Sequence, residues 1–396
     1  MKKIAIIGRG TAGSIATAHL LRWTDCDVEW YFDSNIKPQA VGEGTTLGVP
    51  QILYENIGFV YDDLEKIDGT IKLGIKKVNW GKEGKTFYHN FNPTGHTSFH
   101  FNANKLQDYI LSEVSKNPRL KIIDANIQSH DDIDAEFIMD CSGKPKSYED
   151  CYISEYVTVN AVHVNQCYWD YPRFQHTIAH CAPFGWVFLI PLMNRCSVGY
   201  LYNHNYNTLD EIKEDIKKIF DEYNLTPSEH TNSFQFENYF RKNNFEGRVA
   251  YNGNASFFLE PMEATSIYCI ENISRFAIDM INFQLTEEYC NNEYLNMMNK
   301  IEHAVGIHYY PGSIYKTDFW EFAKNRGENC IKNFMSPDFI NLIKMIESEK
   351  DIKNHYYIPG KSANEYRPRF GHWVSYYSWK THIQELGILD DLLKLT

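Results

Sequence analysis

The strongest constraint sits at the start of the chain. Ile4 to Ile7, an apolar run the length of one strand, leads without a spacer into Gly8-Arg9-Gly10-Thr11-Ala12-Gly13. The stretch Ser14 to Trp23 then carries a helical pattern, so the opening reads as strand, glycine turn and helix, the entry of a βαβ unit. Gly8 suits the tight turn, Gly10 lets main chain approach a pyrophosphate, and Gly13 allows the helix to lie close on the strand. Thr11 and Ala12 fall where free amide N–H groups and the positive helix end face a phosphate. A second strand, Val28 to Phe32, runs into Asp33, 20 residues past Gly13, where a carboxylate can hold a ribose hydroxyl. A loop that merely needs glycines would not require the strand, the helix and the acid around it. The pattern fits FAD and NAD equally at this point.

Two later turns favour FAD. Phe137-Ile138-Met139-Asp140 is an apolar strand ending in Cys141-Ser142-Gly143, and Asn252-Gly253-Asn254-Ala255 forms a third glycine turn. Three separated turns on one sheet suit a long ligand held from several segments; ordinary strand-to-loop turns are the blander alternative. Further strand-like runs are Leu120 to Ile123, Trp186 to Ile190 and Cys196 to Leu201. Leu209 to Tyr223 places apolar residues at Leu209, Ile212, Ile216, Ile219 and Phe220 with charges between, an amphipathic helix. From Ser266 onward the pattern is mostly helical.

Composition removes other classes. A net charge of −12 with no dense basic stripe speaks against nucleic-acid binding. No apolar run spans a bilayer, and the apolar stretch at the N-terminus breaks at Gly8 before it could serve as a signal peptide. The nine cysteines show no CxxC spacing, which argues against a disulfide framework or a zinc site, so the sequence predicts no metal and a reduced, cytoplasmic protein. Phe, Trp and Tyr make up 15% of the residues, enough to line aromatic cavities, although most such rings in any protein are core.

With these turns in place, the chain resembles the flavin-dependent tryptophan halogenases, in the family's order from residue 4 to about 320. Val41-Gly42-Glu43-Gly44-Thr45-Thr46 is similar to the family's flavin strap, and Gly69 to Ile75 to the segment carrying its active-site lysine. Phe87-Tyr88-His89-Asn90-Phe91 resembles the segment whose His and Phe flank an indole. Gly185-Trp186-Val187-Phe188-Leu189-Ile190-Pro191 resembles the signature Trp-x-Trp-x-Ile-Pro, with Phe188 in the second Trp position. Phe258 to Ser266 is similar to Phe-x-Glu-Pro-Leu-Glu-Ser-Thr-Gly, and Lys316-Thr317-Asp318-Phe319-Trp320 matches a further block.

The resemblance implies an α+β fold: a Rossmann-like FAD-binding core of flavin monooxygenase type, an interleaved substrate sheet and an α-rich C-terminal part. Residues 1–325 would form the interleaved core and 326–396 a shortened helical region packing on it. It also implies a two-component enzyme. A separate NAD(P)H-dependent flavin reductase supplies FADH2, O2 and halide give hypohalous acid, and that oxidant crosses to a second pocket to halogenate an indole or other electron-rich aromatic. The oligomeric state is left open, a homodimer included.

Under this reading Gly8, Gly10, Thr11, Ala12, Gly13, Asp33, Gly42, Glu43, Gly44, Thr45, Gly143, Trp186, Gly253 and Pro261 hold or flank the cofactor. Trp186 is the bulky ring that discourages oxygenation of substrate at the flavin. Lys72 would hydrogen-bond the hypohalous acid or form a haloamine with it. Glu263, opposite, would orient the oxidant and take the ring proton. His89 and Phe91, two apart on a strand, project to one face as a stacking platform. Against these stand plainer readings: Lys72 as a surface lysine beside Lys76 and Lys77, Glu263 as an acid at a helix N-terminus, His89 and Phe91 as core.

Two departures bear on activity. Where the family has Ser-Thr-Gly, this chain has Ala264-Thr265-Ser266, so a halide nest of the Thr265 and Ser266 N–H groups requires Ser266 to adopt the needed dihedrals, and chloride, bromide and iodide all stay open. Beyond Trp320 little matches, although Tyr366 to Trp379 is rich in rings, most of them read as packing. An aromatic monooxygenase on the same fold, or a non-catalytic FAD-binding homologue, is the alternative.

Overall fold

The computed structural model describes residues 2–36, 42–91, 97–348 and 373–396. The chain divides into two compact units, each assembled from three segments: residues 1–71, 98–153 and 237–298 in the first, and 72–97, 154–236 and 299–396 in the second. Mixed sheets and helices make the fold α+β, as predicted.

The first unit is built on a six-stranded sheet. Its order is Phe245–Glu246, Val249–Tyr251, Phe137–Asp140, Lys3–Ile7, Asp27–Phe32 and Leu120–Asp124. All neighbours run parallel except the outermost pair, Phe245–Glu246 with Val249–Tyr251. Lys3–Ile7 lies in the interior, and Ile4, Ala5 and Ile6 are almost wholly buried, which is why its sequence is a continuous apolar run rather than an alternating one. The helix Thr11–Trp23 follows at once, three residues earlier than the apolar pattern suggested. Its small residues Ala12, Gly13, Ser14, Ala16 and Ala18 are buried, so it can pack closely. Arg119 closes its far end by donating to the carbonyls of Leu21, Thr24 and Cys26.

The second unit is built on a seven-stranded sheet in the order Pro227–Gln235, Ala161–Tyr168, Arg195–Tyr202, Gly185–Pro191, His176–Ala182, Gly74–Trp80 and Lys85–Asn90. Only His176–Ala182 with Gly74–Trp80 is parallel. The amphipathic helix forms as Leu209–Glu222, started by a capping box between Thr208 and Glu211. Its Ile212, Ile216, Ile219 and Phe220 join Val187, Leu189, Val198 and Tyr200 of the sheet in one apolar core. The helices Asp318–Phe334, Pro337–Ser348, Tyr376–Glu385 and Leu389–Leu393 complete this unit. No helix among the described residues is long and apolar enough to cross a membrane.

Candidate active site

The three glycine turns predicted from sequence follow three adjacent parallel strands, Val249–Tyr251, Phe137–Asp140 and Lys3–Ile7. They therefore sit side by side at the carboxyl edge of the sheet, the usual ligand edge of such folds. Main-chain bonds lock them together: Cys141 N–H donates to Ile7 O at 2.8 Å and Asn252 N–H to Asp140 O at 2.8 Å. The Asn252 side chain also bonds the Ile270 carbonyl and Ser274 Oγ.

Two glycines in the first turn are required by packing. Gly8 has φ +98°, and a β-carbon there would lie 2.3 Å from the Cys141 carbonyl oxygen. One at Gly13 would lie 2.0 Å from the Gly8 carbonyl oxygen. Gly10 differs: it has φ −62°, which any residue adopts, and a β-carbon there would meet nothing within 4 Å. The position is open and is not demanded by a turn. Gly10 is also the N-cap of the helix, which has no side-chain cap and no acid in its first turn. The N–H groups around Thr11 and Ala12 thus have no partner within the helix, side-chain caps included. A pyrophosphate fits this cradle on geometry alone.

Asp33 follows the strand Asp27–Phe32, and one of its carboxylate oxygens accepts from the N–H and side chain of Asn35 at 2.8 and 3.0 Å. Gly42–Gly44 forms a short strand paired with Ser98–Asn102, and Thr45, fully buried, donates to the Phe99 carbonyl. Val41 lies outside the described residues, and the Glu43 side chain is not described.

Glu263 and the proposed halide residues also belong to the first unit. Residues 261–264 make a tight turn in which Ala264 N–H donates to the Pro261 carbonyl, and Glu260 is fully buried while Glu263 is half-buried. Glu263 stands two residues before the helix Thr265–Ile281, whose first turn holds no acid. Thr265 and Ser266 are its first two residues, so Ser266 takes ordinary helical dihedrals and both N–H groups point out of the helix start. Ala264 takes the left-handed conformation instead, φ 54° and ψ 36°, at a cost of about 1 kcal/mol for a residue with a β-carbon.

Lys72, His89, Phe91 and Trp186 fall in the second unit. Lys72 is not a surface lysine: it is 0% exposed, and its Nζ lies 5.5 Å from the Phe91 ring centre. Lys77 is equally buried, with Nζ 5.4 Å from the Trp80 ring centre, a feature the sequence did not reveal. His89 and Phe91 do share a face, with ring centres 6.2 Å apart at 83°, an edge-to-face contact that fills the space between them. Trp186 is 1% exposed and lies 6.5 Å from Trp80, itself ringed by His308, Tyr309 and Trp320.

Sequence reasoning missed what else surrounds His89. Tyr377 and His382, both on the helix Tyr376–Glu385, place their rings 5.3 and 4.9 Å from it. The Tyr377 hydroxyl donates to the Asn90 carbonyl at 2.9 Å, tying this helix to the strand that carries His89. Trp379, by contrast, is core, packed on Phe334 and Phe339. Tyr366 and Phe370 lie outside the described residues.

Residues 3–130 and 102–344 match the sequence pattern of the family described as Tryptophan halogenase. The chain belongs to that family. Its members are enzymes of flavin-dependent halogenation. Among curated relatives, the tryptophan 7-halogenase RebH of Lentzea aerocolonigenes is 21% identical over 421 residues, covering 81% of this chain and 78% of that one. The tryptophan 6-halogenase SttH of Streptomyces toxytricini is 20% identical over 437 residues, covering 82% and 81%. Among solved structures, the flavin-dependent halogenase Xcc4156 from Xanthomonas campestris superposes with a TM-score of 0.77 at 17% identity, over 99% of this chain and 93% of that one. A tryptophan halogenase from Shewanella frigidimarina gives 0.76 at 15% identity, over 100% and 93%. These halogenase structures share the fold of the chain; family membership rests on the sequence match.

Proposed function

We propose that this chain is an FADH2- and O2-dependent halogenase that oxidises halide to hypohalous acid and halogenates a small electron-rich aromatic, an indole or a phenol. The observation that carries the reading is Lys72. A lysine with no exposed surface is rare, because a buried ammonium loses its hydration, and such residues are commonly kept for chemistry. An aromatic monooxygenase needs the same glycine cradle but no buried amine, so Lys72 separates the two readings.

Bound FAD, supplied in reduced form by a separate NAD(P)H-dependent flavin reductase, contributes the O2 chemistry that oxidises halide. The chain's own residues do the rest. Gly10 and the N–H groups at Thr11 and Ala12 receive the pyrophosphate, Gly143 and Gly253 let the neighbouring turns approach, and Asp33 offers its second oxygen to a ribose hydroxyl. Gly42, Glu43, Gly44 and Thr45 form the strap, and Trp186 and Pro261 flank the cofactor. Thr265 and Ser266 direct two N–H groups and a positive helix end toward a halide. Ser266 brings a side chain to this nest where the family has glycine, so bromide and iodide stand as candidates beside chloride.

Lys72 as ammonium donates a hydrogen bond to the oxygen of hypohalous acid and sharpens the halogen as an electrophile. As neutral amine it attacks the halogen, forming an N–halogen bond and releasing water. Glu263 accepts the proton that the aromatic ring sheds after halogen addition. His89 and Phe91 offer the stacking surface, and Tyr377 sets its depth.

The test combines the chain with a flavin reductase, FAD, NADH and air. Each halide is supplied in turn with a panel of indoles and phenols, and products are read by mass spectrometry. Halide-dependent mass gain is expected. Oxygen insertion independent of halide would favour the monooxygenase, and bound flavin without turnover of any acceptor the non-catalytic homologue.

A further inference from the structure

We infer that a cleft at the far end of the helix Thr11–Trp23 binds a small zwitterion of the α-amino-acid class. The cleft, of about 390 Å³, lies wholly in the first unit, where the helices Thr11–Trp23, Val49–Ile57 and Ala103–Val114 pack on one another and end together. That volume is within the range of small-molecule sites. The glycine turns stand at the opposite end of Thr11–Trp23, so the cleft is no part of that cradle. Ala18, Leu21, Ile57 and Val114 supply its apolar lining. Its charged residues balance in sign, Arg22 and Arg119 against Asp25 and Glu113. A lone cation would meet two guanidinium groups there, and a lone anion two carboxylates. A ligand that carries an ammonium and a carboxylate together can satisfy both signs.

The groups still unspent divide the same way. Arg119 is committed to the carbonyls of Leu21, Thr24 and Cys26 and offsets the negative end of the first helix. The other two helices have no basic residue in their last turns, so their carbonyl ends favour an ammonium. Asp25, exposed and without a hydrogen-bond or ion-pair partner among the described residues, adds a carboxylate beside them. Glu113 gives one oxygen to Lys116 at 2.6 Å and keeps the other. On the donor side, Arg22 spends Nε on the Glu55 carbonyl at 3.1 Å and keeps both Nη groups. Its guanidinium is held over the Trp23 ring, 5.3 Å from the ring centre. Asn56 accepts from Trp23 Nε1 at 2.9 Å, which orients its amide, and its Nδ2 is shielded from water with no acceptor among the described residues. A shielded donor left unmet is costly, and a ligand carboxylate oxygen would relieve it.

The experiment uses the full, flavin-free chain. Thermal melts screen the non-aromatic L-amino acids one at a time, which keeps the ring-lined site out of the readout, and calorimetry follows the strongest. That amino acid is compared with its primary amide, which lacks the carboxylate, and its N-acetyl derivative, which lacks the ammonium. One equivalent of the amino acid is expected to bind, and each derivative about tenfold more weakly. Asp25→Asn and Arg22→Gln should each weaken binding by a similar factor, while Asp170→Asn, on the exposed surface of the second unit, should not. Circular dichroism identifies variants that retain the fold. No saturable binding by any amino acid, equal binding of either derivative, or unchanged affinity in a folded Asp25→Asn or Arg22→Gln overturns the site. Binding is read without FAD, halide or turnover, so failure of the halogenase reading would leave this result intact, and the reverse.

Discussion

Replacing Gly10 and Gly13 separately by alanine should divide binding from folding. At Gly13 the added carbon would sit 2.0 Å from the Gly8 carbonyl oxygen, where ordinary contact is more than 3 Å. The helix Thr11–Trp23 must then move roughly 1 Å off the strand Lys3–Ile7, and overpacking of that kind costs about 1–3 kcal/mol. Because the obstacle is main chain, the upper end of that range applies, and at roughly 2–4 °C per kcal/mol the melting temperature should fall by about 6–12 °C. At Gly10 the added carbon meets nothing within 4 Å and the backbone is already at φ −62°. Stability should therefore stay within about 0.5 kcal/mol, as for a substitution that touches nothing. FAD affinity should nonetheless fall by about tenfold or more, since the methyl group occupies the pyrophosphate's path, and 1.4 kcal/mol of lost contact is already tenfold. The assays are thermal melts of the flavin-free chain and FAD titration by fluorescence quenching. A silent Gly13→Ala, or a Gly10→Ala that binds FAD as the parent does, would refute the reasoning.

Tyr377→Phe removes the bond to the Asn90 carbonyl and should cost about 1 kcal/mol in denaturant unfolding, with KM for the aromatic substrate shifting more than kcat. Glu271, buried in the helix Thr265–Ile281, has its pKa raised from 4.5 to about 7 by burial, against the pull of Arg275. The fold thus holds a proton that the unfolded chain releases, and stability falls as pH rises from about 4.5 to about 7. Glu271→Gln should flatten that slope and gain on the order of 3 kcal/mol at neutral pH, as read from melts across pH. His130 has its pKa raised by its hydrogen bond to Asp140, at 2.8 Å, on the strand leading to the second glycine turn. That contribution is complete below the ordinary histidine pKa and is lost as pH rises through the raised one. His130→Gln should lose the alkaline step in the melting profile and keep the rest.

The glycine-turn half of the candidate site was legible because its signal is local. A strand, its turn and the following helix are contiguous, so the spacing of Gly8, Gly10 and Gly13 carries the geometry, and the same logic found Gly143 and Gly253. Sequence patterning also located the helix of residues 209–222, since one apolar face repeats along it. The ring-lined part was half legible. Lys72, His89 and Phe91 lie within 20 residues and follow strand alternation. Tyr377 and His382 do not, because they reach His89 only through packing of a helix nearly 300 residues later, and nothing in the helical pattern there separates a wall from a core ring such as Trp379. The burial of Lys72 and Lys77 was hidden for a related reason. On the strand Thr70–Lys72 and its successor, the lysines look like the solvent-facing positions of an ordinary sheet, and only tertiary contacts cover them.

The most direct measurement pairs product analysis with flavin oxidation in Lys72→Met, which keeps the volume of the buried chain while removing its nitrogen. The parent chain should give halide-dependent halogenated product. The variant should give none, while it binds FAD and consumes FADH2 as the parent does. Halogenated product from the variant, or none from the parent with any halide while FADH2 is still oxidised, would contradict the assignment of Lys72 and of the reaction.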